Sequence, residues 1–153
     1  MVACLAVSLI SCNNKKMEIS ETSRNQTEQE VQQAFKSLVA SAEAIDIKGY
    51  FEHFDTEKFV GLNADGTNWN SIEEFSVLIE PWFNAMQRSE YLKFTNVQVS
   101  VIDSNTAVLV NEFEQRVLLK DGTYINSAGG GTQVWSKASG KWLLVSVSAS
   151  SKS

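Results

Sequence analysis

Between Val31 and Ile45, apolar side chains return every three or four positions: Val31, Ala34, Phe35, Leu38, Ala42 and Ile45. That period predicts an amphipathic helix with one buried face. Thr27 and Glu30 stand just before it in a capping-box pattern, so the folded part is expected to begin at Thr27. Asp46 is expected to cap a second, short helix carrying Ile47, Tyr50, Phe51 and Phe54 and ending near Asp55. "EKFVGLNADG" reads as a short strand running into an Asp-Gly turn. Ser71 and Glu74 repeat the capping-box pattern. Ile72, Phe75, Leu78, Ile79, Trp82, Phe83 and Met86 then keep a helical phase through Pro81. One helix kinked at Pro81, or two short ones, satisfies that pattern.

From Tyr91 onward the pattern changes to strands. Turn signals at Ser104-Asn105, Asp121-Gly122 and Ser139-Gly140 separate four stretches, 91–103, 106–119, 123–137 and 141–149. The second has no breaker over its length, far beyond the usual ~5–6 residues of a strand, so it must bend and coil. "SAGGG", Ser127 to Gly131, marks a bulge, a sharp bend or a close backbone approach, or else an irregular loop dividing the third stretch. Helices first and strands after give an α+β domain. Its helices segregate on one face of a cone-shaped, strongly curved antiparallel sheet.

The first residues carry a different message. "VACLAVSLIS" is apolar but too short to span a bilayer as a helix. It ends in Leu9-Ile10-Ser11-Cys12, which resembles a bacterial lipobox. The resemblance implies a signal peptide over 1–11, cleavage before Cys12 and lipid on that cysteine. Residues 12–26 would form a polar tether, 27–150 the domain and 151–153 a tail. No basic residue precedes Val2, so the start of translation is expected a few codons upstream. The expected location is the bacterial cell envelope, with the membrane engaged through the lipid anchor only.

Composition narrows the chemistry. The net charge is −5, and the lysines and arginines are scattered, which argues against nucleic acid as a partner. Cys4 leaves with the signal peptide and Cys12 is lipidated, so the mature domain has no thiol for a disulfide, a nucleophile or a metal. A single histidine, His53, does not make a zinc site. No phosphate-binding loop, nucleophile elbow or calcium loop is present, and no cofactor or metal is expected.

The order and spacing of several stretches resemble the nuclear-transport-factor-2-like superfamily, in its SnoaL-like and ketosteroid-isomerase-like branch. These are the long first helix leading into "AIDIKGYFEHF", then "LNADG", "NTAVLVNEFEQRVLLKDG" and "GGGTQVWSKASGKWLLVSVSAS". The resemblance implies a curved sheet wrapped around a long helix, a pocket at the wide end and homodimers through the outer sheet face. The family holds isomerases, dehydratases, cyclases and hydrolases beside non-catalytic binding and scaffolding domains. In many relatives the segment after Gly-Lys-Trp carries a pocket histidine. Here the corresponding positions are Ser146 and Ser148, which lack acid–base range near neutral pH.

Asn111 is an amide among inward-facing Ala107, Leu109, Phe113 and Val117, so it bonds either the backbone or a ligand. Glu112, Glu114 and Arg116 alternate with that series and belong to the outer face or a dimer contact. Tyr50, Phe54, Phe83 and Phe113 are expected to join Asn111, Ser146 and Ser148 around the pocket. Trp69, in a turn-like stretch without a regular partner, is expected to lid it. Three readings follow. One is an envelope lipoprotein that binds a small hydrophobic ligand without catalysis. Another is an interaction module working as a homodimer. The alternative is a cofactor-independent isomerase or cyclase, with Asp55 or His53 as general base and Tyr50 or Asn111 holding an oxyanion.

Overall fold

A computed structural model describes residues 19–152. The segment expected to be a signal peptide and the expected lipidation site, Cys12, lie outside the described residues. Ser20 caps the first helix, α1 (Glu21–Glu43), by accepting a hydrogen bond from the Ser23 N–H at 3.2 Å. The helix therefore starts before Thr27, and residues 21–26 are helix rather than tether. Thr27 does not cap. It is buried in the stripe formed by Val31, Phe35 and Leu38, one turn ahead of Val31. Glu30 is likewise no capping partner, since its carboxylate is engaged across the domain.

Asp46 does cap α2 (Ile47–Phe51), accepting from the Gly49 N–H at 2.9 Å. Next come β1 (Val60–Leu62) and β2 (Asn68–Trp69), an antiparallel pair that aligns Gly61 with Trp69. Trp69 thus sits in a short strand, not in an unpartnered turn. Ser71 caps α3 (Ile72–Ala85), a single helix that runs through Pro81. Pro81 and Val77, whose carbonyl loses its helical partner, are both solvent-exposed, so water can take up the freed bond.

Four long strands complete the chain: β3 (Met86–Asp103), β4 (Thr106–Leu119), β5 (Tyr124–Ser136) and β6 (Leu143–Ser151). The sheet order is β2-β1-β6-β5-β4-β3. The β3 to β6 meander is antiparallel, but β1 lies parallel to β6, so the sheet is mixed, curved and unclosed. The SAGGG segment stays in register as part of β5 throughout. A Cβ at Gly129 would overlap the Ser150 carbonyl oxygen and stand 2.8 Å from the Phe113 ring, so glycine is required there by close approach. The core gathers Val31, Phe35 and Leu38 of α1 against Leu109, Trp135 and Leu144 of the sheet. Phe54, Phe59 and Phe75 close its far side with rings 5.1–5.4 Å apart.

One irregularity decides which side chains of β6 face inward. Val134 pairs with Ser146 but the adjacent Trp135 pairs with Leu144, leaving Val145 as an extra residue. Beyond this bulge, Val147 and Ala149 align with Gln133 and Gly131, while Ser146 and Ser148 align with Val134 and Thr132. Strand alternation then places the two serines on the opposite face from Gln133.

Candidate functional site

Along β4 the inner face changes character. Ala107 and Leu109 are fully buried core, whereas Asn111, Phe113 and Gln115 border a cavity of about 250 Å³. The floor comes from the inner faces of β3 to β6. The roof comes from Phe35, Leu38 and Val39 of α1, Tyr50 of α2, and Trp82 and Phe83 of α3. Gly131 and Ala149 lie opposite each other in the floor, and an added Cβ at Gly131 would stand 3.6 Å from both amide atoms of Asn111. Small residues here keep space open beneath that amide.

The walls are mainly apolar, and the polar groups are few. They are the Tyr50 phenol, Ser89, the Asn111 amide and the amides of Gln115 and Gln133. Gln115 Nε2 donates to Ser127 Oγ at 2.7 Å. Trp135 Nε1 donates to Gln133 Oε1 at 3.0 Å. Among the described residues, no buried side-chain nitrogen or oxygen lacks a partner. The Asn111 amide and Gln133 Nε2 make no bond within the described chain, so they meet the open space of the cavity. Burial pushes the Tyr50 phenol well above its ordinary pKa, so it remains a protonated donor. Among the described residues, no Asp, Glu, His, Lys or Arg borders this cavity.

The structure therefore brings together Tyr50, Phe83, Asn111 and Phe113. Ser148 borders the cavity too, but by register its side chain belongs to the outer face. Ser146 and Trp69 border a different, shallow depression around β1 and β2. Trp69 packs on Phe75 at 4.8 Å and ends the core rather than lidding the cavity. Phe54 is a core residue beside a third depression against α2 and α3. Ser146, Trp69 and Phe54 are thus absent from the cavity: the bulge turns the first outward, and core packing claims the other two.

The two acid–base candidates also lie elsewhere. Asp55 is buried, but its Oδ1 accepts from the Glu57 and Lys58 N–H groups, both at 3.1 Å. It closes a turn. His53 is partly buried, and desolvation, followed by the nearby Lys141 charge, lowers its pKa. Its carbonyl accepts from the Leu144 N–H, tying α2's exit to β6. Glu112, Glu114 and Arg116 do occupy the outer face, where Glu112 pairs with Lys152 at 2.8 Å and Arg116 lies 4.4 Å over the Tyr124 ring. Sequence reading missed Gln115 and Gln133. The available signal was period two: Gln115 continues the series of Asn111 and Phe113, and Gln133 lies two positions before the buried Trp135.

The SnoaL-like domain family matches residues 31–152. No curated protein matches the chain. Among solved structures, the fold is similar to a nuclear transport factor 2-like superfamily protein from Salmonella enterica. That match has 17% identity, covers 85% of this chain and 94% of that one, and has a TM-score of 0.73. It is also similar to the association domain of C. elegans CaMKII, at 19% identity, 86% and 99% coverage and a TM-score of 0.66. A type 2 hexachlorocyclohexane dehydrochlorinase, LinA, superposes with 9% identity, 88% and 90% coverage and a TM-score of 0.72. At these identities the likeness is one of fold, shared by a dehalogenating enzyme and an association domain alike. The helix-wrapped curved sheet and the match over most of its length place this chain in the SnoaL-like family.

Proposed function

We propose that the domain binds a compact, uncharged, largely apolar ligand without transforming it. One observation carries this reading: a cavity of about 250 Å³ lined by apolar side chains and neutral polar groups, where no described residue offers a side chain that exchanges a proton near neutral pH. Its volume lies just below the ~300–1,000 Å³ of drug-sized sites, which favours a small ligand. An isomerase-type mechanism needs a base within hydrogen-bond reach of its substrate, and neither Asp55 nor His53 borders the cavity. A thermal-unfolding screen of neutral and anionic apolar compounds tests the reading. A ligand at 100 times its dissociation constant adds about 2.7 kcal/mol. Neutral compact compounds should raise the midpoint by several degrees; no shift with any of them would sink the proposal.

In the same reading Cys12 carries the lipid that holds the domain at the bacterial envelope, as the lipobox-like segment supports. Cys12→Ser should move the protein from the membrane to the soluble fraction. The outer sheet face carries the exposed Val110 and Tyr124, which supports a homodimer through that face. A monomeric mass by light scattering at micromolar concentration would count against it.

A further inference from the structure

The amide of Gln133 has only one chemically permitted orientation. An indole N–H donates and never accepts. The bond from Trp135 Nε1 therefore requires the Gln133 oxygen, and this fixes the amide without any choice of rotamer convention. Its NH2 group is left pointing away from Trp135, unpartnered within the described chain. Gln133 aligns with Leu109 and Val147 on the inner face and borders the cavity. Gln115 differs, because its partner Ser127 is a hydroxyl that accepts either orientation. Asn111, with no partner, is equally free to turn. Trp135 is fully buried, so the group that sets Gln133 is itself immobile.

Resting on the ligand-binding reading above, we propose that the cavity selects neutral carbonyl compounds. The ligand's carbonyl oxygen accepts from Gln133 Nε2, and Trp135 acts as the positioning residue that makes this group a donor. A carboxylate meets no cation among the described residues lining the cavity to offset its desolvation. An alcohol's oxygen also accepts, but its hydroxyl proton then needs a second partner: the Gln133 oxygen is held by Trp135, so the Asn111 amide must turn and be fixed to receive it.

The test uses a matched bicyclic series: 2-tetralone, 2-tetralol, tetralin and tetralin-2-carboxylate. Affinities are measured by calorimetry, and the Gln133 side-chain NH2 resonances are followed by NMR. The ketone should bind about tenfold tighter than the alcohol or the hydrocarbon, consistent with one net hydrogen bond, and should shift the Gln133 NH2 signals. The carboxylate should bind weakest. In Gln133→Met the ketone advantage should fall to within about twofold while tetralin affinity is kept. In Trp135→Phe the amide can turn, and the ketone-to-alcohol ratio should collapse with Gln133 still present. Unfolding curves of each variant without ligand establish that it folds; if Trp135→Phe does not, Gln133→Met decides. Equal binding of all four probes, or a ketone preference that survives Gln133→Met, overturns the selectivity while leaving a ligand site. Binding by none of them overturns the ligand site itself.

Discussion

Glu30 fastens the first helix to the last hairpin. Its Oε2 accepts from Lys137 Nζ at 2.6 Å and from Trp142 Nε1 at 2.8 Å. The Lys137 bond, then the Trp142 bond, bring its pKa from 4.5 down to about 2. A carboxylate with a depressed folded-state pKa stabilises the fold above its unfolded value and loses that contribution as pH falls. Glu30 is 31% exposed, so solvent screening trims its share to about 1–2 kcal/mol. Glu30→Gln should therefore cost about that much at pH 7, and the difference from the native chain should shrink between pH 4.5 and 2. Urea unfolding across that range checks it. Gly129→Ala should cost about 2–3 kcal/mol, because the new Cβ meets a backbone carbonyl that has no rotamer to yield. For a chain of this length that lowers the melting midpoint by roughly 5–10 °C. Asn111 was legible in the sequence because an amide interrupts an apolar alternation. Gln115 and Gln133 carried only the weaker signal of period two, and the paired register is what shows which face each joins.

Elements follow the same logic. The caps at Asp46 and Ser71, the long β4 and the turns between strands are local signals, and the structure keeps them. The Leu144–Ser146 bulge is not local. It exists because Trp135 must meet Leu144 in the core while Gln133 meets Val147. Strict alternation read along β6 alone cannot detect an extra residue, and so it turns the Ser146 and Ser148 side chains inward although only Ser148 borders the cavity. Deleting Val145 removes the bulge but leaves Leu144 and Val147 two positions apart, so both keep the inner face in a regular register. The deletion should therefore keep the fold and cost less than the ~2–5 kcal/mol of losing a buried aliphatic side chain. Val145→Ala, which keeps the backbone, should stay within about 1.5 kcal/mol. Comparing both by urea unfolding separates the role of the inserted residue from that of its side chain.

For the molecule as a whole, the boundary of the domain matters most. The capping-box pattern at Thr27 and Glu30 pointed to the wrong start because Glu30 bonds Lys137 and Trp142, 107 and 112 residues away, while Thr27 is buried in the core. Arg24 Nη1 bonds the Val101 carbonyl at 3.1 Å, so the turns before Thr27 belong to the fold. A chain beginning at Ile19 should melt with the same midpoint as the full chain. One beginning at Thr27 loses the Ser20 cap and the Arg24 bond and should be less stable by about 2 kcal/mol, visible by calorimetry. The curved sheet and its covering helices were legible from pattern alone. The parallel pairing of β1 with β6 was not, since nothing within "FVGLN" names its partner strand.

The clasp between Glu30 and Trp142 joins positions 112 residues apart. During synthesis, α1 leaves the ribosome before the sheet, yet its apolar stripe of Val31, Phe35 and Leu38 is covered by strands made last. At roughly 5–20 residues per second, that stripe waits on the order of ten seconds for its cover. A nascent chain of this order keeps its first apolar face uncovered until its synthesis is nearly complete.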